Sequence, residues 1–137
     1  MEITVLKESL QDLFLLASPG QPTLNKAGGY LLGRKMNQTF FVEKIYVLPW
    51  KELFNPKTFF NVEKSQRLEI LGVFSFDPST SKKKNLQHPL FCEKVFLALK
   101  PDRRGEIKAK AQLVQFDRRF SFVPLDRIIL ELEEEND

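Results

Sequence analysis

The sequence predicts an α/β fold of the α+β kind, in which a single-domain mixed β-sheet is flanked by helices. Apolar residues recur at helical spacing near the start, and several apolar segments of strand length follow. The chain has 137 residues, which is enough to bury a substantial core in one domain. We therefore assign one domain to residues 1–137, with an acidic tail at 131–137 that we expect to fray.

The first half of the chain predicts a helix followed by a pair of strands. The helix is expected over residues 3–17, where the apolar positions are Ile3, Leu6, Leu10, Leu13, Phe14 and Ala17, and Ser18-Pro19-Gly20 ends it. The segments "GYLLGR" and "TFFVEKIYVLP" predict two strands around a turn at residues 36–38. Residues 50–66 have an irregular pattern with Pro56 in the middle, and we expect at most a short helix there.

The second half predicts the remaining strands. "RLEILGVFSF" is nearly continuously apolar, which is typical of a central strand buried on both faces. We expect Ile70, Gly72 and Phe74 on one face of this strand and Leu71, Val73 and Phe76 near the other. "KVFLALKP" predicts another strand, and "EIKAKAQLVQF" and "RRFSFVPL" a hairpin around Asp117. "PLDRIILELEEEND" predicts a short helix or strand with an acidic end.

Charge is unevenly distributed along the chain. The net charge of the whole sequence is +3, whereas residues 1–125 alone carry 20 bases and 12 acids, a net charge of +8. A basic nucleic-acid-binding module is therefore one hypothesis, because phosphates attract such a surface and the interleaved aromatics of "KTFFNVEK" and "QFDRRFSF" could stack on bases. The candidate basic surface comprises Lys82, Lys83, Lys84, Arg103, Arg104, Arg118 and Arg119. The commoner explanation is a solvated charged surface over core strands.

Several classes of protein are disfavoured by what the sequence contains. Cys92 is the single cysteine, so neither an intrachain disulfide nor a thiolate zinc cluster can form. No apolar run approaches the roughly 20 residues that span a membrane, and "MEITVLKESL" is charged where a signal peptide would be apolar. "AGGYLLG" lacks the Lys-Ser/Thr of a phosphate-binding loop. We expect a cytoplasmic protein without membrane contact or cofactor.

The order of motifs resembles the JAB/MPN (JAMM) domain family along nearly the whole chain. A helix precedes "GGYLLGR", a strand ending "YVLP" follows, and then come "LEILGVFSFDP", "VFLALKP", "EIKAKAQLVQF" and "RFSFVPL". The family's glycine anchors correspond to Gly29 and Gly33, with Leu31 between them, and its later anchors to Gly72 and Pro78. The resemblance implies a JAB/MPN-like (cytidine-deaminase-like) fold, and active members of the family are zinc isopeptidases or related peptidases.

The positions that carry the family's chemistry hold different residues in this chain. Lys26 stands where the family has its catalytic Glu, and Ser75 and Asp77 stand at the two histidine ligands. His88 stands at the aspartate ligand and Asn85 at the helper serine. A hydrolytic zinc site needs about three protein ligands, an open position for water and a base, which these residues do not supply. The resemblance therefore implies a pseudoenzyme whose former-cleft positions are Lys26, Ser75, Asp77, Asn85 and His88.

Three functions remain open from the sequence. The first is a non-catalytic JAB/MPN-like interaction or scaffold module with a protein partner, such as another MPN-like domain or a ubiquitin-like protein. The second is a divergent metal-dependent hydrolase or isopeptidase that uses Asp77 and His88, two weak metal-ligand candidates; the alternative is that Asp77 shapes a turn and His88 lies on the surface. The third is the nucleic-acid-binding module. The first hypothesis also predicts that Lys26 and Asp77 lie close enough to interact.

Overall fold

The computed structural model describes residues 1–16, 27–76, 80–101 and 107–130. In chain order the elements are β1 (Glu2–Val5), α1 (Lys7–Leu16), β2 (Ala27–Met36), β3 (Thr39–Pro49), a first 3-10 helix (Trp50–Phe54), α2 (Pro56–Gln66), β4 (Glu69–Ser75), α3 (Thr80–Asn85), a second 3-10 helix (Pro89–Phe91), β5 (Val95–Pro101), β6 (Ile107–Asp117), β7 (Arg119–Pro124) and β8 (Arg127–Leu130). The fold is thus mixed α+β. Within these ranges no helix has the length and apolarity needed to cross a membrane.

All eight strands belong to one mixed sheet with the order β7-β6-β5-β4-β2-β3-β1-β8. Strand β1 is parallel to both β3 and β8, β4 is parallel to β5, and the other neighbours are antiparallel. The Leu125 amide donates to the Ala111 carbonyl of β6 at 3.0 Å, and the next amide, Asp126, donates to the Met1 carbonyl at 2.9 Å. Because these donors are consecutive, the two ends of the sheet meet at this corner.

The sheet separates two apolar cores. Core A, beside α1, comprises Ile3, Val5, Leu13, Leu31, Phe40, Val42, Ile45, Leu71, Phe74, Phe76, Val95, Leu97, Leu99, Ala111 and Leu113. Core B, beside α2 and the 3-10 helices, comprises Tyr30, Leu32, Leu53, Phe59, Val62, Ile70, Val73, Leu86, Phe91, Phe96 and Val114. Adjacent residues of β2, β5 and β6 alternate between the two cores, as the pleat requires, and those of β4 alternate on each side of an irregularity in its pairing. The central strands are therefore covered on both faces.

Both predicted hairpins are confirmed. Strands β2 and β3 are joined by Asn37 and Gln38, and Met36 pairs with Thr39. Asn37 has a φ of 56°, a left-handed conformation that asparagine tolerates better than most residues. Strands β6 and β7 are joined through Arg118, which lies between the paired residues Asp117 and Arg119. The predicted C-terminal element is a strand, β8, and the acidic residues 131–137 lie outside the described ranges.

The predicted burial of β4 is confirmed, but the predicted assignment of its faces is wrong. Ile70 and Val73 pack in core B, whereas Leu71, Phe74 and Phe76 pack in core A. The cause is a β-bulge: Leu31 pairs with Gly72 and Leu32 with Ile70, which leaves Leu71 as an extra residue. A bulge inserts one residue into the alternation, so strict two-residue periodicity fails across it.

The predicted helix over residues 3–17 starts too early. Residues Glu2–Val5 form β1, which lies between β3 and β8, and the helix begins at Lys7. Ile3 and Val5 are fully buried in core A. Their two-residue spacing is typical of a strand, whereas Ile3 taken with the later apolar residues also fits the apolar face of a helix. Residues 2–5 form a strand because they pair with β3 and β8. Both partners are distant in the sequence, so the local apolar pattern could not predict this pairing.

The segment 50–66 is more regular than predicted. The first 3-10 helix covers Trp50–Phe54, and α2 covers Pro56–Gln66. Asn55 caps α2, since its side chain accepts a hydrogen bond from the Lys57 amide at 3.0 Å. Pro56 is the first helical residue, where a missing N–H costs nothing and the fixed φ favours the helix. The proline that suggested irregularity therefore starts a helix.

A buried hydrogen bond joins the first 3-10 helix to the sheet. The Tyr30 hydroxyl, on β2, donates to the Leu53 carbonyl at 2.6 Å, and both side chains are fully buried. Burial raises the pKa of the Tyr30 hydroxyl well above its ordinary value, and the charges of Glu52 and Glu63 raise it further. The phenol is therefore held in its neutral, donating form.

Phe74→Ala should lower the free energy of unfolding by about 3–5 kcal/mol, because the ring is 1% exposed and fills the centre of core A. Denaturant unfolding measures this loss. Phe60→Ala is the matched control: Phe60 is 59% exposed, so its truncation should change stability by no more than about 0.5 kcal/mol. A loss below about 1 kcal/mol for Phe74→Ala would contradict its placement in the core.

Tyr30→Phe should lower the free energy of unfolding, measured by denaturant, by about 1–3 kcal/mol, because it leaves the buried Leu53 carbonyl without its hydrogen-bond donor. Tyr46→Phe should be nearly neutral, since the Tyr46 hydroxyl makes no hydrogen bond within the described residues.

Comparing the native protein with Tyr30→Phe as a function of pH tests the raised pKa of Tyr30. A raised folded-state pKa stabilises the protein below the unfolded pKa of about 10, and this stabilisation is lost as the pH rises above it. The stability of the native protein should therefore fall toward that of Tyr30→Phe above pH of about 10. A difference that stays constant with pH would contradict the assignment.

Candidate functional site

Three of the five former-cleft positions lie within the described ranges. Ser75 is the last residue of β4, Asn85 is the last residue of α3, and His88 precedes the second 3-10 helix. Lys26 and Asp77 lie outside the described residues. The expected contact between Lys26 and Asp77 therefore stays a prediction.

Ser75, which the resemblance assigns to the position of the first histidine ligand, is completely buried. It pairs with Gly28 of β2 on one side and with Ala98 of β5 on the other. It lies two positions after Val73 on the strand, so its side chain lies on the core-B face of the sheet. A hydrolytic metal centre needs a coordination position that water can reach. A side chain sealed from solvent is poorly placed to serve one.

Trp50 occupies the space next to this strand end. A Cβ added to Gly28 would lie 2.7 Å from the Trp50 ring, so the indole packs directly on the glycine backbone. The Trp50 ring also contacts Phe54 and Phe96, with centroid distances of 5.0 and 6.3 Å. Gly28 is needed here because any side chain would displace the indole. Trp50 thus bridges the beginning of β2 and the core-B side of β5.

Asn85, at the position of the helper serine, holds the indole in place. Its Oδ1 accepts a hydrogen bond from Trp50 Nε1 at 3.1 Å. The bond joins α3 to the first 3-10 helix, two elements that are 35 residues apart in sequence. Asn85 therefore has a structural partner within the protein, and the bond fixes its amide orientation toward Trp50.

Sequence reasoning did not identify Trp50 as part of this region. The available signal was weak: it is the only tryptophan, it directly follows the strand that ends in Pro49, and a glycine pair begins the neighbouring strand. A large ring next to a strand that carries glycines fits close ring-to-backbone packing. The link to Asn85 depends on how α3 crosses the sheet, which the sequence does not state.

His88 lies on the surface and caps the second 3-10 helix. Its side chain is exposed, and Nδ1 accepts a hydrogen bond from the Leu90 amide at 3.0 Å. A ring nitrogen that accepts such a bond carries no proton, so the proton of the neutral ring resides on Nε2. Metal-ligating histidines normally have the opposite arrangement, with the non-ligating N–H donating to a neighbour. The hydrogen bond favours a structural role for His88.

The described residues contain no group of three or more His, Cys, Asp or Glu side chains that could hold a metal ion. Glu69, at the start of β4, forms an ion pair with Lys94 at 3.3 Å. Because Asp77 lies outside the described ranges, the weak metal candidate formed by Asp77 and His88 stays untested.

The predicted basic surface divides into separate parts. Lys83 of α3 lies over the Phe122 ring of β7, with Nζ 5.4 Å from the centroid, and Lys84 is exposed. Arg118 and Arg119 are exposed at the turn between β6 and β7. The side chain of Lys82 and residues Arg103 and Arg104 lie outside what the structure describes. In the predicted stacking platform, "KTFFNVEK" lies on α2 and not on a strand.

Comparison with known proteins supplies the fold and no activity. No known family's sequence profile matches the chain, and no curated protein matches it. Among solved structures, the chain is similar to protein DSY2949 from Desulfitobacterium hafniense, a structural-genomics target solved in solution, with a TM-score of 0.68 and 22% sequence identity. The similarity covers 97% of this chain and 95% of that one. The same mixed α+β architecture thus occurs in both proteins over nearly their whole length.

Proposed function

We propose that the protein is a non-catalytic, JAB/MPN-like module that binds another protein. The observation that carries this proposal is the condition of the former-cleft positions. Ser75 is buried, and Asn85 is bonded to an indole that packs on Gly28. The sequence adds Lys26 in place of the general base. Ser75 and Asn85 thus take part in packing and internal hydrogen bonding, and the catalytic glutamate of the family is absent at position 26.

The metal-dependent hydrolase is the weaker candidate. It requires His88 to give a lone pair to a metal, whereas His88 Nδ1 already accepts the Leu90 amide. Ligation through Nε2 would require the ring to exchange its proton and to lose this cap. The proposed interaction surface is the exposed rim of the former cleft, where Lys84, Asn85 and His88 are accessible.

The purified protein should show no isopeptidase activity on ubiquitin-like fusion substrates, with or without added zinc. The physical reason is the missing carboxylate base and ligand set. Substrate cleavage followed by electrophoresis measures this directly, with an active JAMM enzyme as the positive control. Zinc-dependent cleavage that disappears in Asp77→Ala or His88→Ala would establish the hydrolase instead.

The interaction half of the proposal has its own test. The isotopically labelled protein is titrated with an MPN-like domain and, separately, with ubiquitin, and amide shifts are followed by NMR. Shifts that cluster at residues 84–90 with one of these partners, and that weaken in Asn85→Ala, support the proposal. Asn61→Ala is the matched control, because Asn61 is exposed on α2 away from this rim. No shifts with either partner would overturn it.

A further inference from the structure

Strand β7 has an unpaired outer edge within the part of the chain that the structure describes. It is the terminal strand of the order β7-β6-β5-β4-β2-β3-β1-β8, and there it pairs with β6 alone. The N–H and C=O groups along such an edge are a template for a further strand, which proteins commonly oppose with charged side chains. Between its end residues, Arg119 and Pro124, β7 reads "FSFV", with no charged residue. The middle of this edge therefore lacks that protection.

The hydrogen bonds of Val114 show which backbone groups of β7 point outward. The Val114 amide donates to the Lys94 carbonyl at 2.8 Å, and the Val114 carbonyl accepts the Glu93 amide at 2.7 Å. Both backbone groups of Val114 are thus turned to the β5 side of β6 and away from β7. Val114 pairs with Phe122, so this pair exchanges no hydrogen bonds. The N–H and C=O groups of Phe122 therefore point to the free edge.

The alternation along β7 extends this result to its other residues. Successive residues of a strand turn their backbone groups to opposite sides. Phe120 consequently points to the free edge with Phe122, whereas Ser121 between them points to β6. The Leu125 amide, which donates to the Ala111 carbonyl of β6 at 3.0 Å, has the orientation that the same alternation requires. The free edge thus offers the N–H and C=O groups of two phenylalanines.

These four groups are complementary to themselves. In an antiparallel pair with Ser121 opposite Ser121 of a second copy, Phe120 lies opposite Phe122 of that copy, and Phe122 opposite its Phe120. Outward-facing residues that lie opposite each other exchange both hydrogen bonds, so all four groups of each chain are satisfied. If Phe122 instead faced Phe122, Phe120 would lie opposite Pro124, which has no N–H to donate. The Phe120 carbonyl would then stay unpaired, so the register centred on Ser121 is favoured.

The side chains match in the same register. Phe120 and Phe122 are partly buried at the margin of core B, and each would lie opposite a phenylalanine of the second copy, a favourable cross-strand pair. On the other face, Arg119 would lie opposite Val123, which is 40% exposed, and its apolar stem can cover that side chain. Ser121, which is small and exposed, would lie at the centre. Within β7, this register places no like charges directly opposite each other.

We propose that β7 pairs antiparallel with β7 of a second copy of this chain, about a two-fold axis at Ser121. Two eight-stranded sheets thereby join into one, and each copy contributes the same surface, as a two-fold interface requires. The pairing involves one six-residue strand per copy, and interfaces below about 1,200 Å² are typically weak. The dimer therefore forms at high protein concentration. The proposal is independent of the former cleft and of the proposed protein partner.

Sedimentation velocity and amide hydrogen exchange of the full-length chain test the dimer together. We expect a dimer whose fraction grows as the protein concentration is raised to about 1 mM. Exchange of the Phe120 and Phe122 amides should slow as the dimer forms, because these amides become bonded only between copies. The Ser121 amide, which faces β6 in each copy, should be protected at every concentration. A native protein that stays monomeric, or Phe120 and Phe122 amides whose exchange does not depend on concentration, overturns the proposal.

Variants of Ser121 test the position of the two-fold axis. Ser121→Lys would place two positive charges directly opposite each other and should abolish the dimer, whereas Ser121→Thr, the matched control, should retain it. Because Ser121 is exposed, both variants should fold, which thermal unfolding checks. An equal mixture of Ser121→Lys and Ser121→Glu should form a heterodimer. A dimer of Ser121→Lys alone, or no heterodimer in the mixture, contradicts the register.

A strand from a different protein is the other possible occupant of this edge. In that case the native protein would stay monomeric, and the Phe120 and Phe122 amides would shift when an MPN-like domain or ubiquitin is added. This result would assign the edge to that partner, and the proposed pairing of two copies would be wrong.

Discussion

The close approach of backbones at three glycines is the constraint on which the sheet depends. A Cβ on Gly72 would collide with the Val95 carbonyl, one on Gly33 with the Phe41 carbonyl, and one on Gly29 with the Phe74 ring. These contacts join β2 to β3, β2 to β4 and β4 to β5, so the four strands can lie at these distances only if those positions lack a side chain. Because both faces of β4 are buried, a side chain added at Gly72 could not turn toward solvent, and the substitution would have to displace the backbone of β5.

The same glycines carry much of the resemblance to the JAB/MPN family. Each of Gly29, Gly33 and Gly72 has a steric reason to be glycine in this fold. Their spacing therefore reports on how the strands pack and carries no information about a catalytic activity. The residues that would carry chemistry are separate from these anchors. The resemblance therefore rests on packing positions, whereas the positions that it assigns to chemistry hold a buried serine and a tryptophan-bound asparagine in this structure. Motifs of this kind are therefore weak evidence for an activity.

Features that depend on residues close together in the sequence could be predicted, whereas features that depend on pairing between distant segments could not. The two hairpins depend on neighbouring segments and short turns, and the burial of β4 on its own composition. Strand β1 depends on partners in β3 and β8, and the bulge at Leu71 on how β2 and β4 register, so neither is contained in local periodicity. The candidate site divides in the same way. That the resemblance assigns Lys26 to the position of the general base can be read from the sequence, whereas the packing of Trp50 on Gly28 depends on elements that are distant in the chain.

The position of Trp50 also bears on the proposed function. Its ring is held from below by Gly28, from the side by Phe54 and Phe96, and at Nε1 by Asn85. The first 3-10 helix that carries it is in turn fixed to β2 by Tyr30. A catalytic metal site needs ligands that stay exposed to water and substrate, at a cost in packing. Here the same space holds the packed Trp50 ring and its hydrogen bond to Asn85. Under the proposed function, side chains held in this way would lose little conformational entropy when a partner docks on them.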